Sequence, residues 1–199
     1  MEKEAEASYE FQEEQREGRI KETTINRPLI DSGEYRRKFD LISDNANLNK
    51  LIYQLAKQML LHRSGTLFED MYWIDTETCT IVAKENCGNI KKGIKYSRKT
   101  RKAIRQYEGL LTIHSHPNSY PPSIDDFNSN YYNRYGIGII ICHDGKIFIY
   151  NSDEAVSEKY YELLVEKYDK EFHNMYKAQI LALKKIKENY LINYREVRI

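Results

Sequence analysis

The segment that most restricts how this chain can fold runs from Leu110 to Asp126. Leu110-Leu111-Thr112-Ile113 is apolar and β-branched enough to be a buried strand, and it continues directly into His114-Ser115-His116-Pro117. After the loop of residues 118–122, Ser123 is a good N-cap for a helix beginning at Ile124, with Asp125 and Asp126 in its first turn. Side chains alternate across a strand, so His114 and His116 share one face. Pro117, Pro121 and Pro122 limit the loop to bent paths that bring the helix start back over that face.

Two imidazoles and a carboxylate converging in this way can supply three ligands to one zinc ion. The fourth position stays open, as in catalytic rather than structural zinc sites. Imidazole nitrogen and carboxylate oxygen suit zinc, and no paired cysteines compete for it. A lone histidine or an isolated His-x-His is common in cores and on surfaces, so the strand-loop-helix setting gives the pattern its weight. The pattern implies metal-assisted hydrolysis.

The remaining chain frames that site. Residues 1–28 are rich in Glu, Lys and Arg and read as a solvated arm or isolated helix, ended by Pro28 and Asp31-Ser32-Gly33. Tyr35, Phe39 and Leu41 are candidates to dock this arm, taken as residues 1–42, on the body. Leu48, Leu51, Ile52, Leu55, Met59 and Leu60 predict a helix over 47–62, with Ser64-Gly65 as its stop. Residues 71–74 and 78–82 predict a hairpin, and residues 97–107 a short basic helix capped by Ser97. Residues 137–142 and 147–150 predict a second hairpin around Asp144-Gly145. Helical spacing then fills 153–190, with Val156, Tyr160, Leu163, Leu164, Tyr168, Phe172, Met175 and Ile180 along one side. This order predicts an α+β fold: a mixed, largely antiparallel sheet flanked by helices over residues 43–152, followed by a long C-terminal helical extension over 153–199.

The string His-x-His-Pro, a spacer, then Ser-x-x-Asp resembles the JAMM motif of the JAB/MPN metalloprotease family, over about residues 47–152. Prokaryotic and phage members are the nearest in flavour. That resemblance implies a zinc peptidase or isopeptidase with His114, His116 and Asp126 as ligands. It implies a glutamate general base where the first helix gives way to the first strand, which Glu69 occupies, 45 residues before His114. It also implies that the Ser123 hydroxyl steadies the tetrahedral intermediate. The spacer of five residues after Pro117 is one shorter than the family's usual one, which by count from the histidines would select Phe127; the Ser-x-x-Asp rule selects Asp126, with Asp125 a weaker substitute. Glu77 and Glu85 are the competing glutamates.

Other features limit partners. The net charge of +1 gives no global field toward nucleic acid or membrane, although Lys91, Lys92, Lys95, Arg98, Lys99, Arg101, Lys102 and Arg105 form a local basic run. That run reads first as a solvated helix face and second as a surface for nucleic acid or an acidic partner. The three cysteines, Cys79, Cys87 and Cys142, lack CxxC spacing and favour a reducing compartment; with no signal segment after Met1 and no long apolar run, a cytoplasmic location is expected. Cys142 reads as a buried filler, His143 as exposed, and His62 and His173 as helical. The expected partner is a protein or peptide substrate with glycine beside the cut bond. The alternatives are a non-catalytic scaffold of the same fold and a nucleic-acid-associated member.

Overall fold

The computed structural model describes residues 20–199 apart from residues 89 and 92; the first part of the expected N-terminal arm, residues 1–19, lies outside the described residues. The described chain is α+β. Seven α-helices surround a six-stranded sheet: α1 Arg27–Ile30, α2 Gly33–Phe39, α3 Ala46–Arg63, α4 Arg98–Ile104, α5 Ile124–Tyr132, α6 Glu158–Phe172 and α7 Met175–Asn189. The strands are β1 Met71–Asp75, β2 Thr80–Glu85, β3 Leu111–His116, β4 Gly138–Cys142, β5 Ile147–Ser152 and β6 Ile192–Glu196. Their spatial order is β2-β1-β3-β4-β5-β6. Only β3 and β4 pair in parallel, and α5 supplies the crossover that a parallel pair requires.

Period-two alternation divides the sheet into two faces. Tyr72, Ile74, Leu111, Ile113, Ile139 and Ile141 face α3, whose Leu48, Ile52, Leu55, Ala56, Met59 and Leu60 meet them in one core. Asn45 caps α3 by accepting from the amides of Asn47 and Leu48. The opposite residues, Ile140, Cys142, Phe148 and Tyr150, pack against Phe127 of α5 and against the two C-terminal helices. Near β1, Met71 and Trp73 build a smaller cluster with Ile104, Leu110 and Tyr135. Cys142 is fully buried, as its apolar neighbours predict.

Three regions differ from the sequence reading. Within the segment assigned to an arm, residues 20–39 join the body: Tyr35 and Phe39 dock in the core as expected, Ile25 and Ile30 are buried with them, and Leu41, the third expected docking residue, stays exposed. The helical stretch after residue 153 is broken by His173, which sits in the left-handed region at φ 49° and caps α6, so α6 and α7 form a hairpin. Asn174, an N-cap that accepts from the Lys177 amide, is the local signal for that break. The predicted stripe is accordingly interrupted, with Leu163 and Met175 exposed. The chain then returns as β6, antiparallel to β5, so the C-terminal segment completes the sheet. Finally, His143 is buried rather than exposed: its Nδ1 donates to the Thr23 carbonyl at 2.6 Å and its amide donates to the His116 carbonyl. Burial lowers its pKa, so it is held neutral.

None of the described helices is long and apolar enough to cross a membrane.

Candidate metal centre

β3 delivers His114 and His116 to the face that carries α5, and Thr112 shares that side. The backbone of β3 is held on both flanks, with His114 opposite Met71 on β1 and opposite Ile140 on β4. The two rings meet edge to face, and their Nε2 atoms lie 3.0 Å apart. Asp126 reaches over from the first turn of α5: Oδ1 is 3.2 Å from His114 Nε2, and Oδ2 is 3.6 Å from His116 Nε2. All three donor groups fall within 4.8 Å of one another and could hold a metal ion.

The spacing fits a metal of ordinary tetrahedral radius. Two donors each at ~2.1 Å from a tetrahedral zinc sit about 3.3–3.4 Å apart. The Nε2–Nε2 separation of 3.0 Å and the contacts of 3.2 and 3.6 Å from the two Asp126 oxygens, one to each imidazole, lie on either side of that value. Proton placement agrees. A carbonyl only accepts, so His116 Nδ1 must be the atom donating to the Tyr120 carbonyl at 3.2 Å, which leaves its Nε2 lone pair pointing into the site.

The Ser-x-x-Asp pattern is a capping box. Ser123 Oγ accepts from the Asp126 amide at 3.1 Å, and Asp126 Oδ2 accepts from both the Ser123 amide and the Ser123 hydroxyl at 2.7 Å. Helix formation therefore fixes the rotamer of the third ligand. The hydroxyl proton of Ser123 is committed to Asp126 here and must rotate away to serve an oxyanion. Phe127, the residue selected by counting from the histidines, is wholly buried with its ring 5.5 Å from that of Tyr150. Asp125 is exposed at the rim of the cleft.

Glu69 lies between α3 and β1 and lines the same cleft as the His-His-Asp group, a space of about 530 Å³. Glu77 is exposed in the β1–β2 turn, and the Glu85 carboxylate accepts from the Ser97 amide beside a separate groove. Desolvation lifts the Glu69 carboxyl to about 7, with the charge of Asp126 adding to the rise and His114 and Arg63 opposing it. Burial pushes His116 down to about 4, with the neighbouring His114 adding to the effect, so it is a neutral ligand at physiological pH. Burial would also depress His114, but the Asp126 charge and hydrogen bond outweigh it and leave it raised. Burial alone would lift Asp126; the two imidazoles and the Ser123 hydroxyl overcome that and hold it well below the usual carboxylate range.

Two supports of the site carry no sequence signal that the motif would reveal. The ring of Tyr176 on α7 stacks on Tyr120 at 5.8 Å and 24°, so the C-terminal hairpin pins the proline-rich loop. Tyr161 and Gln179 from the same hairpin also line the cleft. Tyr150 crosses β4 above Gly138, where a Cβ would fall 2.1 Å from its ring; glycine is required there by that close approach.

Comparison with protein-family models, with curated proteins and with solved structures finds no match for this chain.

Proposed function

We propose that this chain is a zinc-dependent peptidase or isopeptidase of the JAMM type. The observation that carries the reading is the convergence of His114 Nε2, His116 Nε2 and the Asp126 carboxylate in a cleft that Glu69 also lines. Three N and O ligands with a side open to the cleft match hydrolytic zinc sites better than closed structural ones. Zinc held there supplies Lewis acidity and a water acidified to a pKa of about 7.

The residues of the chain divide the remaining work. Glu69, with a carboxyl lifted to about 7, is suited to take a proton from the attacking water and return it to the leaving amine. The Ser123 hydroxyl, once turned from Asp126, donates to the developing oxyanion; single donors of this kind contribute about 2.7–4 kcal/mol. Its partner Asp126 stays fixed through the Ser123 amide, which does not move. Pro121, Pro122 and the stacked Tyr120 narrow the cleft beside the ligands and favour glycine next to the scissile bond.

The decisive experiment pairs metal content with turnover. Zinc-loaded wild type should cleave glycine-containing peptide or isopeptide substrates. Glu69→Gln should retain the metal and lose most turnover, and His116→Ala should lose both. Equal metal in wild type and His116→Ala, or full turnover by Glu69→Gln, rejects the assignment.

A further inference from the structure

Residues 90–105 contain eight Lys and Arg and no Asp or Glu. With the whole chain at +1, this segment of +8 leaves −7 for everything else. A near-neutral protein therefore carries a run of uncompensated positive charge in this one segment. Its first part borders the cleft, and its helix α4 continues from there beside a separate groove.

The segment has two sides. Ile90, Gly93, Ile94 and Tyr96 line the cleft, while Lys91 and Lys95 between them are exposed. A single bridge from Lys91 to Phe68 ties the start of this lip to the residue before Glu69. The lip then enters α4, which buries Thr100 and Ile104 and turns Arg98, Arg101 and Lys102 outward, with Arg105 following just beyond its end. That i, i+3, i+4, i+7 stripe is one helix face. Among the described residues none of these six basic side chains is paired with a carboxylate.

We propose that the Lys91–Arg105 lip is a docking surface for an acidic polypeptide segment that flanks the bond presented to the cleft. Whatever leaves the cleft past Ile90 and Ile94 passes the exposed Lys91 and Lys95 that follow them in the chain, and charges at the surface act over about 8 Å at physiological salt. Such a surface steers and registers an acidic chain more than it tightens it. A single-stranded nucleic acid fits less well, because base stacking needs open aromatic faces. Tyr96, the aromatic within the lip, does not offer one: its ring packs edge-on against Trp73 at 4.9 Å and its hydroxyl lies 3.1 Å from Ser129 Oγ, and the exposed Tyr107 lies beyond the end of the stripe. The occupant of the cleft rests on the hydrolytic reading above, but binding at the lip does not.

The test uses three fluorescent probes on the full chain: a Glu/Asp octapeptide ending in Gly-Gly, its Ser/Asn counterpart, and a single-stranded oligonucleotide of equal charge. The acidic peptide should bind, weaken steeply with added salt, and bind about tenfold more weakly to the triple variant Arg98→Glu/Arg101→Glu/Lys102→Glu. Circular dichroism checks that this surface variant is folded. Equal binding of the neutral peptide, unchanged affinity of the triple variant, or tighter binding of the oligonucleotide than of the acidic peptide overturns the proposal. Repeating the titration with His116→Ala separates the two readings. Retained binding there, beside a wild type that hydrolyses nothing, keeps the docking surface and removes the hydrolase.

Discussion

Asp70 and Ser115 exchange two hydrogen bonds: the Asp70 amide donates to Ser115 Oγ, and the Ser115 amide donates to the Asp70 carbonyl, both at 3.0 Å. The residue after Glu69 is thereby clipped to the residue between the two histidines. The Asp70 carboxylate is in turn held by the buried Arg63 guanidinium and by His62 Nδ1 at the end of α3. One chain of contacts thus sets the distance between the candidate base and two candidate ligands.

That chain predicts a large effect from a residue outside the cleft. Arg63 is wholly buried, and Arg63→Ala would leave the buried Asp70 carboxylate without its cation, held by His62 Nδ1 alone of these two partners. The expected loss is about 3–5 kcal/mol, read by urea denaturation, accompanied by weaker metal retention. A loss under about 1 kcal/mol would mean that the pair is solvated in practice.

Metal uptake should release a proton. His114, raised by Asp126, must be neutral to coordinate, so lowering the pH favours the proton over the metal. Zinc titrations near pH 6.5 in buffers of different ionisation enthalpy should give different apparent heats and a stoichiometry of about one. Buffer-independent heats would contradict the upward shift that Asp126 gives His114.

Glu69 links activity and stability with opposite signs. Its folded pKa of about 7 lies above the ordinary carboxyl value of 4.5, so the metal-free fold is penalised for its charge above pH 7 and not below about 4.5. Glu69→Gln should therefore raise metal-free stability by roughly 2–3 kcal/mol at pH 8, with the gain vanishing near pH 4. A base must be ionised, so wild-type turnover should rise with pH along an acid limb at or below about 7, since a bound cation can only lower that value. Thermal melts across pH and a pH–rate profile check both halves. A Glu69→Gln variant less stable at pH 8 than wild type would reject the desolvation account.

Tyr176→Ala removes the stacked partner of Tyr120 without touching the ligands. A stability cost of about 0.5–1.5 kcal/mol is expected. The more telling readout is a peptide-library cleavage profile: enrichment of Gly or Ala beside the cut in wild type, relaxed in the variant. Identical profiles would show that the loop selects substrates without help from the C-terminal hairpin.

The sequence by itself determined what is local. The Ser123 cap, the alternation that puts His114 and His116 on one face, the β4–β5 hairpin and the buried stripe of α3 each follow from residues a few positions apart. The His-His-Asp group was legible for that reason: a strand, a stiff loop and a helix cap are consecutive. Tertiary structure alone decided the pairings between distant segments. β6 alternates over only five residues and becomes a strand because β5 offers an unpaired edge. Ile25 and Ile30 lie in a charged stretch with no period, yet they are buried in the core that covers one face of the sheet, beside the Tyr35 and Phe39 that the sequence does mark for docking. His143 reads as a turn residue until the Thr23 carbonyl arrives from 120 positions away to accept a hydrogen bond from its Nδ1. Short-range rules fix dihedrals and faces, whereas burial depends on which apolar surface remains uncovered after the whole chain has collapsed.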